Sequence, residues 1–220
     1  MKLLLFAIGI FMISCNANDY QSSRDIPKEA KEKKNAETSH KLQDGDLIFH
    51  TSQSDQSEAI QIATNSKYSH MGIIYQDGNE YFVYEAIQPV RLTRLQDWID
   101  RGKDGKYVVK RLKNRDELLT EEGIRKMKAI GIKYLGKDYD LRFEWSDNKI
   151  YCSELVWKIY KEAFNIEIGT LEKFNDFDLS NQTVQKKVKE RYGNKIPKDE
   201  FVITPDRMFE SNKLITVIEH

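Results

Sequence analysis

Only two cysteines occur in the 220 residues, Cys15 and Cys152. A chain so poor in thiols is not a disulfide-stapled scaffold and has to hold itself together through an apolar core. Net charge is equally scarce, because 35 basic and 35 acidic residues cancel. No overall field draws the protein toward nucleic acid, an anionic bilayer or a polyacidic substrate, so partners must be argued from sites. Long apolar runs are missing as well. The stretch from Leu3 to Ile13 stops far short of the roughly 20 residues a membrane-spanning helix needs, and no internal repeat is visible. What is present suits one ordinary domain: 40% hydrophobic and 11% aromatic residues, in a length with room for a leader but not for a second full domain.

The first residues, MKLLLFAIGIFMISC, give a lysine, an apolar run, a small residue and a cysteine. That order reads as a secretory leader over 1–14 and resembles the lipobox at which bacterial signal peptidases cut before a lipid-modified cysteine, here Cys15. Met12 departs from the pattern, which usually has Leu there. The alternative is a plain secreted protein with a chance cysteine near its leader. Residues 15–41 are polar and charged, with KEAKEKKNAE in their middle and almost no large apolar side chain. Such a segment cannot offset its ordering entropy and reads as a flexible tether, although its centre would also suit a short solvated helix. The expected localisation is the cell envelope, lipid-anchored in the periplasm or on the outer surface. With Cys15 acylated, Cys152 is an unpaired thiol in an oxidising compartment.

The expected domain spans 42–220. QDGDLIF reads as a turn and a strand, and residues 57–64 carry helical spacing at Ala59, Ile60 and Ala63. Residues 71–75 and 80–86 are β-rich runs around an Asp-Gly pair, a strong hairpin signal. Further on, 95–101 suits a short helix, 107–112 a strand, and 120–134 a helix capped by Thr120. Residues 151–164 form an amphipathic helix with Cys152, Leu155, Val156, Ile159 and Ala163 on one face, and 214–218 a last strand.

If Asp77 and Gly78 form a two-residue loop, the hairpin register puts His70 directly across from Glu85, Gly72 across from Val83 and Ile74 across from Tyr81. Met71, Ile73, Phe82 and Tyr84 then point to the other face. Directly opposed side chains stand about 4.5–5.5 Å apart at Cβ, within reach of a hydrogen bond from an imidazole N–H to a carboxylate. Gly72 leaves space beside the pair. A longer loop would shift the partner. Alone, such a pair is most often a satisfied structural contact and needs a nucleophile to mean more.

YCSELVW supplies one, placing Cys152 in the first turn of a helix, where unpaired N–H groups and the helix dipole favour a thiolate. A buried core cysteine is the plainer reading of that helix alone. In order along the chain, GDLIF, SHMGII, VYEA, KDYD, YCSELVW and ITPDRMF resemble the permuted papain-like amidases of the NlpC superfamily, in particular the YiiX-like hydrolases, over about 42–209. The order His, Glu, Cys matches the permuted branch. The resemblance implies an α+β, circularly permuted papain-like fold, with an antiparallel, barrel-like sheet packed on helices. It implies Cys152 as nucleophile, His70 as general base and Glu85 as the polar third residue, with Tyr139 and Tyr151 near the substrate. Residues 169–199 depart from the compact family pattern as an insertion. The expected activity is hydrolysis of an amide, with cell-wall peptides as substrates, through an acyl-enzyme and without metal or organic cofactor; the expected protein is a monomer that binds no nucleic acid. Two rivals stand beside it: a lipid-directed, thioester-forming acyltransferase or lipase, favoured by a long apolar pocket at Cys152, and a non-catalytic envelope lipoprotein with a relic triad. His50 reads as a loop histidine, His40 and His220 as tether and terminus, the lysines at 31–34 and 186–189 as solvated faces, and Trp98, Trp145 and Trp157 as core or rim residues.

Overall fold

The computed structural model describes residues 42–220. The expected leader, Cys15, the tether with its lysines at 31–34, and His40 lie outside the described residues. Six strands make one antiparallel sheet: β1 (Leu47–His50), β2 (His70–Asp77), β3 (Glu80–Glu85), β4 (Arg91–Arg94), β5 (Val108–Leu112) and, last in the chain, β8 (Leu214–Glu219), in the spatial order β4-β3-β2-β1-β5-β8. Side chains alternate between its faces with the two-residue period of a strand. Leu47, Phe49, Met71, Ile73 and Tyr84 enter the main core, while Ile48, Ile74, Val83 and Val109 enter a smaller cluster around Trp98.

The sheet is open, which corrects the barrel-like expectation. At one edge, β4 buries only Thr93 and exposes Arg91, Leu92 and Arg94; at the other, β8 exposes Ile215 and Thr216. Edge strands with so little inward-facing apolar surface gain nothing by closing on each other.

Helices follow their local signals. Ser54 accepts the Ser57 N–H at 3.2 Å and so starts α1 (Asp55–Thr64) two residues before the apolar spacing begins. Next come α2 (Leu95–Asp100), the single turn α3 (Arg115–Leu118) and α4 (Glu121–Ile132), whose N-cap Thr120 accepts the Gly123 N–H at 3.2 Å. The cysteine-bearing α5 (Cys152–Phe164) lies against β2, β3 and α4 and ends at Asn165 in the left-handed region. The expected amphipathic helix stands, with Cys152, Leu155, Val156, Ile159 and Ala163 buried and Glu162 exposed, and its buried part takes in Ser153 and Glu154 as well. Ser153 donates to the Ile203 carbonyl at 2.8 Å, while Glu154 accepts the Tyr151 N–H at 3.4 Å and stands 2.8 Å from Lys158.

The segment 169–199 forms its own layer. Strand β6 (Glu172–Lys173) pairs with β7 (Phe201–Val202), and α6 (Gln182–Tyr192) packs on α1 before α7 (Pro205–Phe209) returns to α5. Val184 is the one α6 residue fully buried, so the lysines at 186–189 lie on a mostly solvated helix, as expected.

Candidate active site

The hairpin that carries His70 turns at Gly78 and Asn79, one residue later than the Asp77–Gly78 loop expected, with Asp77 paired to Glu80. Gly78, with φ 58°, takes the left-handed conformation the turn requires. Moving a loop by one residue shifts the register by two. Glu85 therefore stays on the expected face of the sheet but lies across from Gly72, on the diagonal from His70. The glycine matters here: a Cβ at position 72 would come within 2.4 Å of the Val83 side chain and 3.4 Å of Glu85 Cβ. The space expected beside His70 is occupied by the strand partner, and the carboxylate spans the diagonal to stand 2.6 Å from His70 Nε2.

Glu85 is wholly buried and held from three sides. Its Oε2 meets His70; its Oε1 accepts from Thr93 Oγ1 at 2.5 Å and from Arg101, just past α2. Burial works against its charge, but the bonds to His70 and Thr93 and the charges of His70 and Arg101 outweigh it, holding the carboxyl down at about 2. Neither Thr93 nor Arg101 was foreseen, since β4 and the end of α2 reach the site only through sheet pairing.

With Nε2 committed to Glu85, Nδ1 is the ring nitrogen left for Cys152. The cysteine is the first residue of α5, follows the extended Tyr151, and is buried. Burial pushes its thiol up, but His70, by charge and hydrogen bond, and the backbone N–H groups of Met71 and Ser153 bring it below the ordinary thiol value. His70 is shifted in the complementary direction. Burial opposes its protonation, yet Cys152 and Glu85 raise it to about 9. A thiolate–imidazolium pair is what these shifts describe. The start of β2 is fixed in turn by Ser69, whose hydroxyl accepts the Ser52 N–H at 3.0 Å and stands 2.5 Å from Ser57 Oγ of α1.

Both predicted tyrosines are nearby, with different roles. Tyr139 hydrogen-bonds Cys152 and receives the Gln56 amide N–H at 3.3 Å. Tyr151 is buried and spends its hydroxyl on the Ile203 N–H at 3.1 Å, so its ring shapes the site while its polar end is structural.

His50 is not the loop histidine expected. It closes β1, pairs in register with His70, and stacks on Trp98 with ring centroids 3.9 Å apart. Burial first, then the charges of His70 and Arg101, keep it neutral, with its value pushed down to about 2. Its Nδ1 has no hydrogen-bond partner among the described residues. Trp98 is thus a core residue that also forms the floor under two histidines. His220 sits at the terminus as expected, stacked on Tyr107.

Two cavities meet at this group. One reaches Cys152 and is walled by Phe143, Phe174, Phe177, Leu179, Val184 and Val188, most of them from 169–199. The other reaches His70 and is walled by Ser52, Gln53, Gln56, Gln88 and Arg101. Among the described residues, no group of three or more His, Cys, Asp or Glu side chains is arranged to hold a metal ion, and no helix is long and apolar enough to cross a membrane.

Residues 41–218 match the family described as permuted papain-like amidase enzyme, YaeF/YiiX, C92 family. The uncharacterized protein YiiX of Escherichia coli strain K12 is 45% identical over 175 residues, covering 80% of this chain and 85% of that protein. A crystal structure of YiiX from Escherichia coli O157:H7, described as a metalloprotein, matches with a TM-score of 0.78 at 45% identity, covering 82% of this chain and 98% of the solved one.

Proposed function

The chain belongs to the family of permuted papain-like amidases, and from that premise we propose that it is a cysteine hydrolase with Cys152 as nucleophile, His70 as acid and base, and Glu85 as the orienting carboxylate. One observation carries this reading: a buried thiol at a helix N-terminus is hydrogen-bonded to a histidine whose far nitrogen is held 2.6 Å from a buried carboxylate. The thiolate attacks an amide carbonyl carbon, and the carbonyl π electrons move to oxygen. That oxyanion is met by the first N–H groups of α5 and by the Tyr139 hydroxyl. Collapse expels the amine, which takes the His70 proton, and leaves a thioester on Cys152. Water then attacks with His70 as base, releasing the acid and restoring the thiol. The same reading places the fold within the wider NlpC superfamily.

Orientation of the substrate follows from the proton's path. His70 lines the polar cavity, so the leaving amine exits there; the acyl side of the scissile bond occupies the cavity at Cys152. Cell-wall peptides suit a hydrolase anchored in the envelope through an acylated Cys15. The apolar walls of the acyl cavity favour a second reading, a lipid-directed lipase or thioester-forming acyltransferase. Screening the purified domain against peptidoglycan fragments and against fatty-acyl amides and esters separates the two.

The relative described as a metalloprotein raises the question of a metal here. The donor set does not fit one: Cys152, His70 and Glu85 are engaged with each other, and no third-party cluster stands beside them among the described residues.

Rapid labelling of Cys152 by iodoacetamide at neutral pH, lost in His70→Ala, is expected. Slow labelling in the unmodified protein, unaffected by that substitution, would return the site to a relic in a binding lipoprotein. Mass spectrometry of the mature N-terminus tests the anchor, where a free amine at any other residue would remove Cys15 from the reading.

A further inference from the structure

We propose that Gln56 and Arg191 are positioning residues that aim the Tyr139 hydroxyl at the reacting carbonyl oxygen, so that the segment 169–199 helps to build the oxyanion site as well as walling the acyl cavity. The proposal rests on the hydrolase reading above. It starts from a problem of hydrogen-bond inventory. A tyrosine has one proton to give, and a phenol free to rotate gives it to whichever acceptor is nearest. Tyr139 lies on an irregular stretch between α4 and α5, not on a rigid element; its backbone N–H is tied to Gln88 Oε1 at 2.7 Å, which fixes the residue but not its hydroxyl proton.

The hydroxyl is fixed by α1. Gln56 Nε2 donates to the Tyr139 oxygen at 3.3 Å, filling an acceptor site there and leaving the Tyr139 proton for the sulfur and for an oxyanion formed beside it. This works only with the Gln56 amide in one orientation. Flipped, its carbonyl would take the tyrosine proton and turn it away from the substrate. Arg191 of α6 decides the orientation: its Nη2 donates to Gln56 Oε1 at 2.8 Å, and a guanidinium, having no acceptor, cannot face the amide nitrogen. Arg191 is itself steadied over the Phe143 ring, 5.5 Å from its centroid. Its positive charge also acts on Tyr139 in the sense that favours negative charge on the phenol oxygen, opposing burial and making the hydroxyl a better donor. Three elements distant in sequence thus form one line from solvent to the reacting atoms.

The test uses full-chain protein and two readouts. Turnover of a p-nitrophenyl fatty-acyl ester is measured for Gln56→Leu, Arg191→Met, Arg191→Lys and Tyr139→Phe. Reversible trapping by an aliphatic aldehyde is measured beside it; there the Cys152 sulfur bonds to the carbonyl carbon, the π bond opens, and the oxygen takes the thiol's proton. Tyr139→Phe is expected to lower kcat about 100-fold, the loss typical of one oxyanion donor. Gln56→Leu and Arg191→Met are expected to lower it about 10-fold with KM little changed, Arg191→Lys to recover part of the loss, and neither to matter further in a Tyr139→Phe background. Iodoacetamide labelling of Cys152, a displacement that forms no oxyanion, is expected to change far less than turnover in Gln56→Leu and Arg191→Met. Losses that multiply with Tyr139→Phe, or that appear only in KM, overturn the relay. If the unmodified protein traps aldehyde and both variants trap it equally well, the relay alone fails; if the unmodified protein neither traps nor turns over, the hydrolase reading fails with it.

Discussion

His50 and His70 are register partners across β1 and β2, with rings 5.3 Å apart, both buried and both near Trp98. Burial acts on both in the same direction, against the charged form. Yet one is held neutral, its value down at about 2, and the other is raised to about 9. What differs is the company on the ring nitrogens. His70 has Glu85 on Nε2 and the Cys152 sulfur beyond, whereas His50 has a stacked indole on its face and an unpartnered Nδ1. The proton is therefore assigned by hydrogen-bonded anions rather than by depth, and two equivalent positions in a sheet become, on the proposed mechanism, a reacting group and an inert spacer.

The comparison breaks most completely if the anion across from His70 is removed. Cys152→Ala and His70→Ala are each expected to abolish turnover almost entirely, and the double variant to be scarcely worse, because residues that act as a unit are strongly non-additive. Losses that simply multiplied would mean that the sulfur and the imidazole work independently. A smaller break comes from Glu85→Gln, which keeps the shape but removes the charge and leaves an amide between Thr93 and Arg101. Turnover should fall roughly 10⁴-fold, as when the third residue of a triad loses its carboxylate, and His70 should release its proton at lower pH, toward the behaviour of His50. A ¹⁵N titration of the histidine rings reads this directly, and an unmoved His70 would remove the carboxylate from the mechanism.

How far this site could be read from the chain alone depends on the distance over which each signal acts. The helix start at Cys152, the cap at Thr120 and the alternation along 70–85 are local, and all three stand in the structure as read. The pairing of His70 with Glu85 survived a loop misplaced by one residue only because the slip was doubled in the register and so kept the same face; Gly72 lies directly across from Glu85, where His70 was expected. Thr93, Arg101 and His50 arrive through strand order and through the end of α2, and nothing in the sequence near His70 announces them. The cavity at Cys152 was illegible for the same reason: Phe174, Phe177 and Val184 belong to a segment read as an insertion, and they meet only once α6 lies against α1. The open edges at β4 and β8 were hidden behind a fold taken whole from a resemblance.

The smallest expected effect sharpens the comparison through stability. His50 has its value lowered from 6.5 to about 2, so below pH 6.5 the unfolded chain takes a proton that the folded one refuses, and stability falls as pH drops. His70 does the opposite. Raised from 6.5 to about 9, its contribution is fully present below pH 6.5 and is lost as pH rises through about 9. Glu85, lowered from 4.5 to about 2, contributes above pH 4.5 and loses that contribution as pH falls through about 2. Between pH 6.5 and 4.5, then, His50 is the one member of the three whose balance changes, at up to about 1.4 kcal/mol per pH unit. His50→Phe keeps a flat ring against Trp98 and removes the proton; His50→Asn guards against crowding at Gly102, where a Cβ would lie 2.7 Å from His50 Nδ1. Urea unfolding of each variant at pH 6.5, 5.5 and 4.5 should show the unmodified protein losing stability faster than either. If all three fall in parallel, His50 carries a proton in the folded state, and the two histidines differ in reach to the sulfur rather than in charge.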